Sequence, residues 1–128
     1  MNDEIKRVFV VDDDESVCRA LKFLLTTFGF QVSTFLSPDK FFSDVTEGIK
    51  GTLLLDIHMP GWDGWETLKR IVKSGSKRPV IVISADKNGG LMEKALGIGA
   101  VGFFQKPIND EELVDLINKT YIKEGLGL

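Results

Sequence analysis

Short apolar runs rich in β-branched residues alternate along this chain with longer stretches whose apolar positions recur every third or fourth residue, the periodicities of strand and helix. The runs cover residues 8–11, 32–35, 53–55, 80–83 and 102–104, the second being the least apolar. Most are apolar on both faces, which predicts strands of a parallel sheet covered by helices on each side. The first helical stretch sets Val17, Ala20, Leu21, Leu24, Leu25 and Phe28 along one stripe, a face that is predicted to be buried. The second carries Phe41, Phe42, Val45 and Ile49 and opens with Ser37 and Pro38, a side-chain cap followed by a residue preset for the first helical position. The third uses Trp65, Leu68, Ile71 and Val72, and the fourth Met92, Ala95, Leu96 and Gly99, with Gly89 and Gly90 weakening its start. In the fifth, Asn109 and Glu112 have capping-box spacing, and Leu113, Leu116, Ile117 and Tyr121 follow on one face. Five strands alternating with five helices through right-handed crossovers give an α/β fold, an open doubly wound parallel sheet.

Composition narrows the class without changing this architecture. The 128 residues, 43% of them hydrophobic, fit one domain with a real core. Residues 1–123 read as that domain, and 124–128 (Glu-Gly-Leu-Gly-Leu) as a tail or the start of a linker to an absent output domain. With 16 basic and 19 acidic residues and a formal charge of −3, the domain lacks the broad positive field that attracts a phosphate backbone, so direct nucleic-acid binding is not expected. Cys18 is the only cysteine, which excludes an intramolecular disulfide and a multi-cysteine metal site and agrees with a reducing compartment. It reads as a small buried apolar group in a helix. The apolar run at 8–11 is too short for a signal-peptide core, and nothing approaches the roughly 18 apolar residues of a membrane span. A cytoplasmic protein without membrane contact is expected.

The candidate chemistry lies at the strand ends, because open parallel sheets bind ligands in the crevice beyond the carboxyl ends of their strands. Asp12, Asp13 and Asp14 leave the first strand, Asp56 the third, Ser84 the fourth and Lys106 the fifth. Carboxylates gathered at one edge raise each other's pKa unless a cation shares the site. Oxygen ligands with no available thiol favour magnesium over zinc. A carboxylate can also attack phosphorus to give an acyl phosphate, and Asp56, fixed behind Leu53-Leu54-Leu55 and followed by the Met59-Pro60-Gly61 turn, suits that role. The metal, the Lys106 ammonium and the Ser84 hydroxyl would supply most of what phosphoryl transfer needs.

From residue 8 to 121 the chain resembles the receiver domains of two-component response regulators. The resemblance is carried by Val10-Val11-Asp12-Asp13, Asp56-Ile57-His58-Met59-Pro60-Gly61-Trp62-Asp63-Gly64, Ile83-Ser84-Ala85, Gly99-Ala100 and Lys106-Pro107, in that order and spacing. It implies a flavodoxin-like (βα)5 fold with strand order 2-1-3-4-5. It implies a signalling switch and no enzyme acting on other substrates: Asp56 takes a phosphoryl group from a sensor histidine kinase or phosphotransfer protein. Asp12, Asp13, Asp56 and the backbone carbonyl of His58 would hold Mg2+ (or Mn2+). Ser84 and Lys106 would hold the phosphoryl oxygens. The Ser84 hydroxyl would then move toward the new group while Phe103 turns inward, and the face of the fourth helix, fifth strand and fifth helix would change partners. Many relatives carry tyrosine at the Phe103 position; phenylalanine can follow the movement but offers no hydroxyl. The partner on the output side would be an effector protein or a linked output domain, with a homodimer forming on phosphorylation. The Lys106-Pro107 bond resembles the family's cis peptide. His58 and Asp86 stand at the positions that tune the lifetime of the phosphoryl group. A neutral-range histidine there would make hydrolysis mildly pH-dependent, and equal rates for wild type and His58→Asn across neutral pH would remove that idea.

Competing readings meet specific obstacles. Asp14 and Glu15 read as a solvated helix start. An EF-hand loop beginning at Asp12 would need glycine at Val17 and glutamate at Phe23. Residues 97–102 match a dinucleotide-binding glycine spacing but end a helix and open a strand, the reverse of that motif, so they read as a helix stop and turn. The His58 ring has no second histidine or cysteine to share a metal and is expected at the rim. Trp65 lies on the buried stripe, Trp62 reads either as core or as a partner anchor, and Phe103 and Phe104 should face opposite sides of the sheet. An aspartate-nucleophile phosphatase of the haloacid-dehalogenase type needs an aspartate where His58 stands. An interaction module that no longer uses phosphorylation is disfavoured by the intact acidic pair, acceptor, hydroxyl and lysine.

Overall fold

The computed structural model describes residues 5–75 and 77–126. Strand and helix alternate as β1 (Arg7–Val11), α1 (Glu15–Thr27), β2 (Gln31–Phe35), α2 (Pro38–Asp44), β3 (Thr52–Asp56), α3 (Gly64–Lys73), β4 (Val80–Ser84), α4 (Leu91–Ile98), β5 (Gly102–Gln105) and α5 (Asp110–Leu126). Every pairing is parallel, and the sheet order is β2-β1-β3-β4-β5. The chain therefore reverses its direction of travel across the sheet between β1 and β3, the switch point at which such sheets open a crevice. Val11 pairs with Leu55 across that point, so the next residues, Asp12 and Asp56, emerge side by side.

Alternation along the strands divides the core in two. Phe9, Val11, Leu53, Leu55, Val80 and Val82 pack under α2, α3 and α4 with Phe41, Leu68, Ile71 and Ala95. Val8, Val10, Leu54, Ile81 and Ile83 pack under α1 and α5 with Cys18, Leu21, Leu25, Leu113 and Ile117. Phe103 and Phe104 join opposite clusters. Each fully buried leucine or isoleucine contributes roughly 1.5–3 kcal/mol relative to exposure, and β3 and β4 are buried along their whole length. Four of the five helices start where the sequence offers a side-chain oxygen: Asp14 accepts from the Ser16 and Val17 amides, Ser37 from Lys40, Asp63 from Trp65 and Glu66, and Asn109 from Glu112.

Three helical faces differ from the periodic reading. In α1 the buried residues are Cys18, Leu21 and Leu25, while Ala20 and Phe28 are exposed; the contact with the sheet is narrower than the stripe, and Phe28 already caps the helix end. Helix α2 stops at Asp44 because Val45 turns extended (φ −117°, ψ 113°), leaving Ile49 beyond it and exposed. In α4 only Ala95 is buried, Met92 and Leu96 face outward, and Gly99 lies past the helix. Gly99 is left-handed (φ 134°) and Gly102 opens β5, so the glycine spacing at 97–102 is a helix stop and turn. Of residues 124–128, α5 takes in those through Leu126, and 127–128 lie outside the described residues.

Candidate functional site

Asp12 continues the β1 ladder by donating its amide to the Phe35 carbonyl (3.1 Å), and it is fully buried. Its Oδ1 accepts from the Asp14 amide (2.9 Å) and its Oδ2 from the Lys106 Nζ (2.9 Å). Asp13, next in the chain, is exposed. Asp56 ends β3, 4% exposed, with Oδ1 accepting from the His58 amide (3.1 Å) and Oδ2 lying 3.7 Å from Lys106 Nζ. One carboxylate oxygen from each of Asp12, Asp13 and Asp56 falls within 4.8 Å of the others.

The right wall of the crevice is built by β4 and β5. The Lys106 amide donates to the Ser84 carbonyl (2.8 Å), which brings the lysine in over the two buried acids; the Lys106-Pro107 peptide is cis. Ser84 is buried, and its hydroxyl accepts from the Asp86 amide (3.0 Å), closing the turn after β4. Asp86 and His58 face each other across the mouth, Oδ2 to Nε2 at 3.4 Å, with the His58 side chain at the exposed rim. Phe103 is half-buried and borders a cleft with Met92, Gln105 and residues 86–91. Asp14 points away as the α1 cap, and its bonds from Ser16 hold its carboxyl below the usual range.

Electrostatics follow from this packing. Burial first, and the Asp12 charge second, push the Asp56 carboxyl from 3.8 up to about 6, against the opposing pull of the His58 amide and Lys106. Burial acts to lower the Lys106 ammonium, but the hydrogen bond and charge of Asp12, with Asp56 and Asp14 behind it, outweigh this and raise it. The result is one ammonium set among three carboxylates, a site short of positive charge, open on the Asp13 side, and built only of hard oxygen donors. Such a donor set fits a small divalent cation and not a thiolate-seeking metal.

Sequence reading named these positions but not all their contacts. It assigned Lys106 to a phosphoryl group and did not name the contact with Asp12, the nearer of its two carboxylate partners. It did not pair His58 with Asp86 in space, and it left Gly64 without a role. Cys18 is buried as read, with Sγ 3.3 Å from the Asp12 carbonyl, and burial raises its thiol to about 11. Trp62 and Trp65 both pack on the core, and Lys94 lies over the Trp65 ring at 4.4 Å.

A family model described as the response regulator receiver domain matches residues 8–118. The chain belongs to that family. Two-component receiver relatives include response regulator protein TmoT of Ectopseudomonas mendocina, 35% identical over 117 residues, covering 91% of this chain and 53% of the relative. Transcriptional regulatory protein FixJ of Bradyrhizobium diazoefficiens is 35% identical over 111 residues, covering 86% and 54%. Among solved structures, response regulator StyR superposes with TM-score 0.82 at 34% identity, over 91% of this chain and 59% of that one. A receiver domain from Clostridium thermocellum reaches 0.85 at 24% identity, over 97% and 100%, a likeness of fold. This receiver domain thus spans about half the length of the curated relatives it matches. No helix among the described residues is long and apolar enough to cross a membrane.

Proposed function

We propose that this receiver domain is a phosphorylation-dependent switch whose acceptor is Asp56, charged by a phosphohistidine of a sensor histidine kinase or phosphotransfer protein. The observation that carries the reading is the Asp56 carboxylate at the sheet's switch point, beside Asp12 and Asp13 and within 3.7 Å of the Lys106 ammonium. In the reaction an Asp56 oxygen forms the new bond to phosphorus as the phosphorus–nitrogen bond breaks and the imidazole leaves. Asp12, Asp13, Asp56 and the His58 carbonyl are the groups that would hold Mg2+ or Mn2+. Such an ion supplies positive charge against the phosphoryl oxygens.

Lys106 stands ready to exchange part of its contact with Asp12 for a phosphoryl oxygen. The Ser84 hydroxyl, to bond the same group, must leave the Asp86 amide it now accepts from, and Phe103 can turn into the space that movement opens. Phosphorylation would thereby favour a second packing of α4, β5 and α5, a population shift driven by contacts made in one state only. Output then passes to an effector protein, to a linked domain or through a homodimer; transcription regulation is the reading suggested by relatives with that name. A cytoplasmic setting belongs to the same proposal, as does tuning of the phosphoryl lifetime by His58 and Asp86 at the mouth.

Intact-protein mass after incubation with acetyl phosphate and Mg2+ tests the acceptor. A magnesium-dependent phosphoryl adduct is expected on wild type and absent from Asp56→Asn. Identical spectra for the two proteins would instead support a passive interaction module.

A further inference from the structure

Building on that reading, we infer that Gly64 is a positioning residue for the acceptor: its missing side chain sets the angle of the 57–58 peptide, which holds Asp56. Gly64 opens α3 and is buried. A Cβ there would lie 1.9 Å from the Ile57 carbonyl oxygen, 2.6 Å from its carbon and 2.8 Å from the Ile57 Cα. All three are backbone atoms, so no side-chain rotation relieves the clash.

The 57–58 peptide is a rigid plane. Its carbonyl oxygen rests on Gly64, and its N–H, at the other edge of the plane, donates to Asp56 Oδ1 (3.1 Å). Ile57 cannot simply withdraw, because its own amide is bonded to the Ile83 carbonyl of β4 (3.1 Å). Nor is α3 free to retreat, since Leu68 and Ile71 are buried in the sheet-facing core. A methyl at position 64 must therefore tilt the peptide. The tilt takes the His58 N–H, which shares that plane, off the Asp56 carboxylate. Gly64 touches neither phosphorus nor metal; it acts through the one backbone donor that orients the acceptor.

Gly64→Ala tests this against Gly99→Ala, a control in which a Cβ would meet Val72 Cγ1 at 2.8 Å far from the site. Mg2+ affinity is read from tryptophan fluorescence, and phosphoryl incorporation from acetyl phosphate is read by mass. Gly64→Ala is expected to weaken Mg2+ binding roughly 10-fold or more, the usual scale for losing an orienting partner, and to slow incorporation; Gly99→Ala should bind within about twofold of wild type while losing thermal stability. Trimethylamine N-oxide keeps either variant folded where buffer does not. Equal weakening in both variants, or wild-type Mg2+ affinity in folded Gly64→Ala, overturns the inference. A second measurement needs no variant at position 64: the His58 amide of wild type should exchange slowly and that of Asp56→Ala fast, and free exchange in wild type overturns it as well. Failure of wild type to bind Mg2+ or take up phosphorus would sink the acceptor reading itself, a separable result.

Discussion

Asp56 ionises against its surroundings: burial and the Asp12 charge set its carboxyl at about 6, where an unhindered one sits at 3.8. The folded state thus binds this proton more tightly than the unfolded chain does. Between those values stability falls as pH rises, and above the upper one the whole penalty persists. That difference corresponds to roughly 3 kcal/mol, with the opposing pull of the His58 amide and Lys106 already included. Asp56→Asn removes the charge and keeps an oxygen for the His58 amide, so it should be more stable than wild type by on the order of 2 kcal/mol at pH 7.5. The gain should fade toward pH 4, where wild type is protonated. Urea unfolding of both proteins across that range is the check, and a wild type at least as stable at pH 7.5 would contradict it. That the acids, Ser84 and Lys106 meet was legible in the sequence because each directly follows an apolar strand, and parallel topology sends all strand ends to one edge. The preference of Lys106 for Asp12 was not legible. It depends on fractions of an ångström in side-chain reach, which spacing does not encode.

At the scale of elements, strands were readable and helix faces less so. A strand buried on both sides declares itself as an unbroken apolar run, as at 80–83, whereas a helix stripe shows which residues could be buried and not how wide the contact is. The misread faces of α1 and α4 share that cause, while α2 was misread in length, because its stripe runs on past the extended Val45 that ends the helix. Helix α4 is the extreme case: it has eight residues, Ala95 as its one buried side chain, Gly90 at its start with no side-chain cap, and Gly99 at its end. Lys94 over Trp65 and Val72 against Gly99 tie it to α3. Few buried apolar contacts and uncapped ends place an element at the low end of local stability. Hydrogen exchange by mass spectrometry should therefore find α4 opening faster than α3 or the first turns of α5, whose caps and buried leucines the structure supplies. Protection in α4 equal to that of α3 would show that its glycine ends do not govern its opening. An element so lightly fixed is one that the change proposed for Ser84 and Phe103, beside its N-terminal loop, would move at small energetic expense.

For the molecule as a whole, the sheet concentrates three carboxylates and one ammonium at one edge, the carboxyl ends of the paired strands β1 and β3, within a chain whose formal charge is −3. Repulsion at that edge is built into the fold, because the acids are fixed by the same strand ladder that forms the core. A divalent cation bound by the folded site alone relieves it and stabilises by mass action, about 2.7 kcal/mol at one hundred times the dissociation constant. For a domain of this size that corresponds to a midpoint rise of roughly 10 °C. Thermal unfolding in saturating Mg2+ should show this rise over a sodium chloride control of equal ionic strength, which separates site binding from general screening. Asp13→Asn should lose most of the rise. Its side chain is exposed and contributes little to packing, so the loss would report the missing ligand and not a weakened core. A rise equalled by sodium chloride, or left intact in Asp13→Asn, would mean that the acidic edge is not a magnesium site.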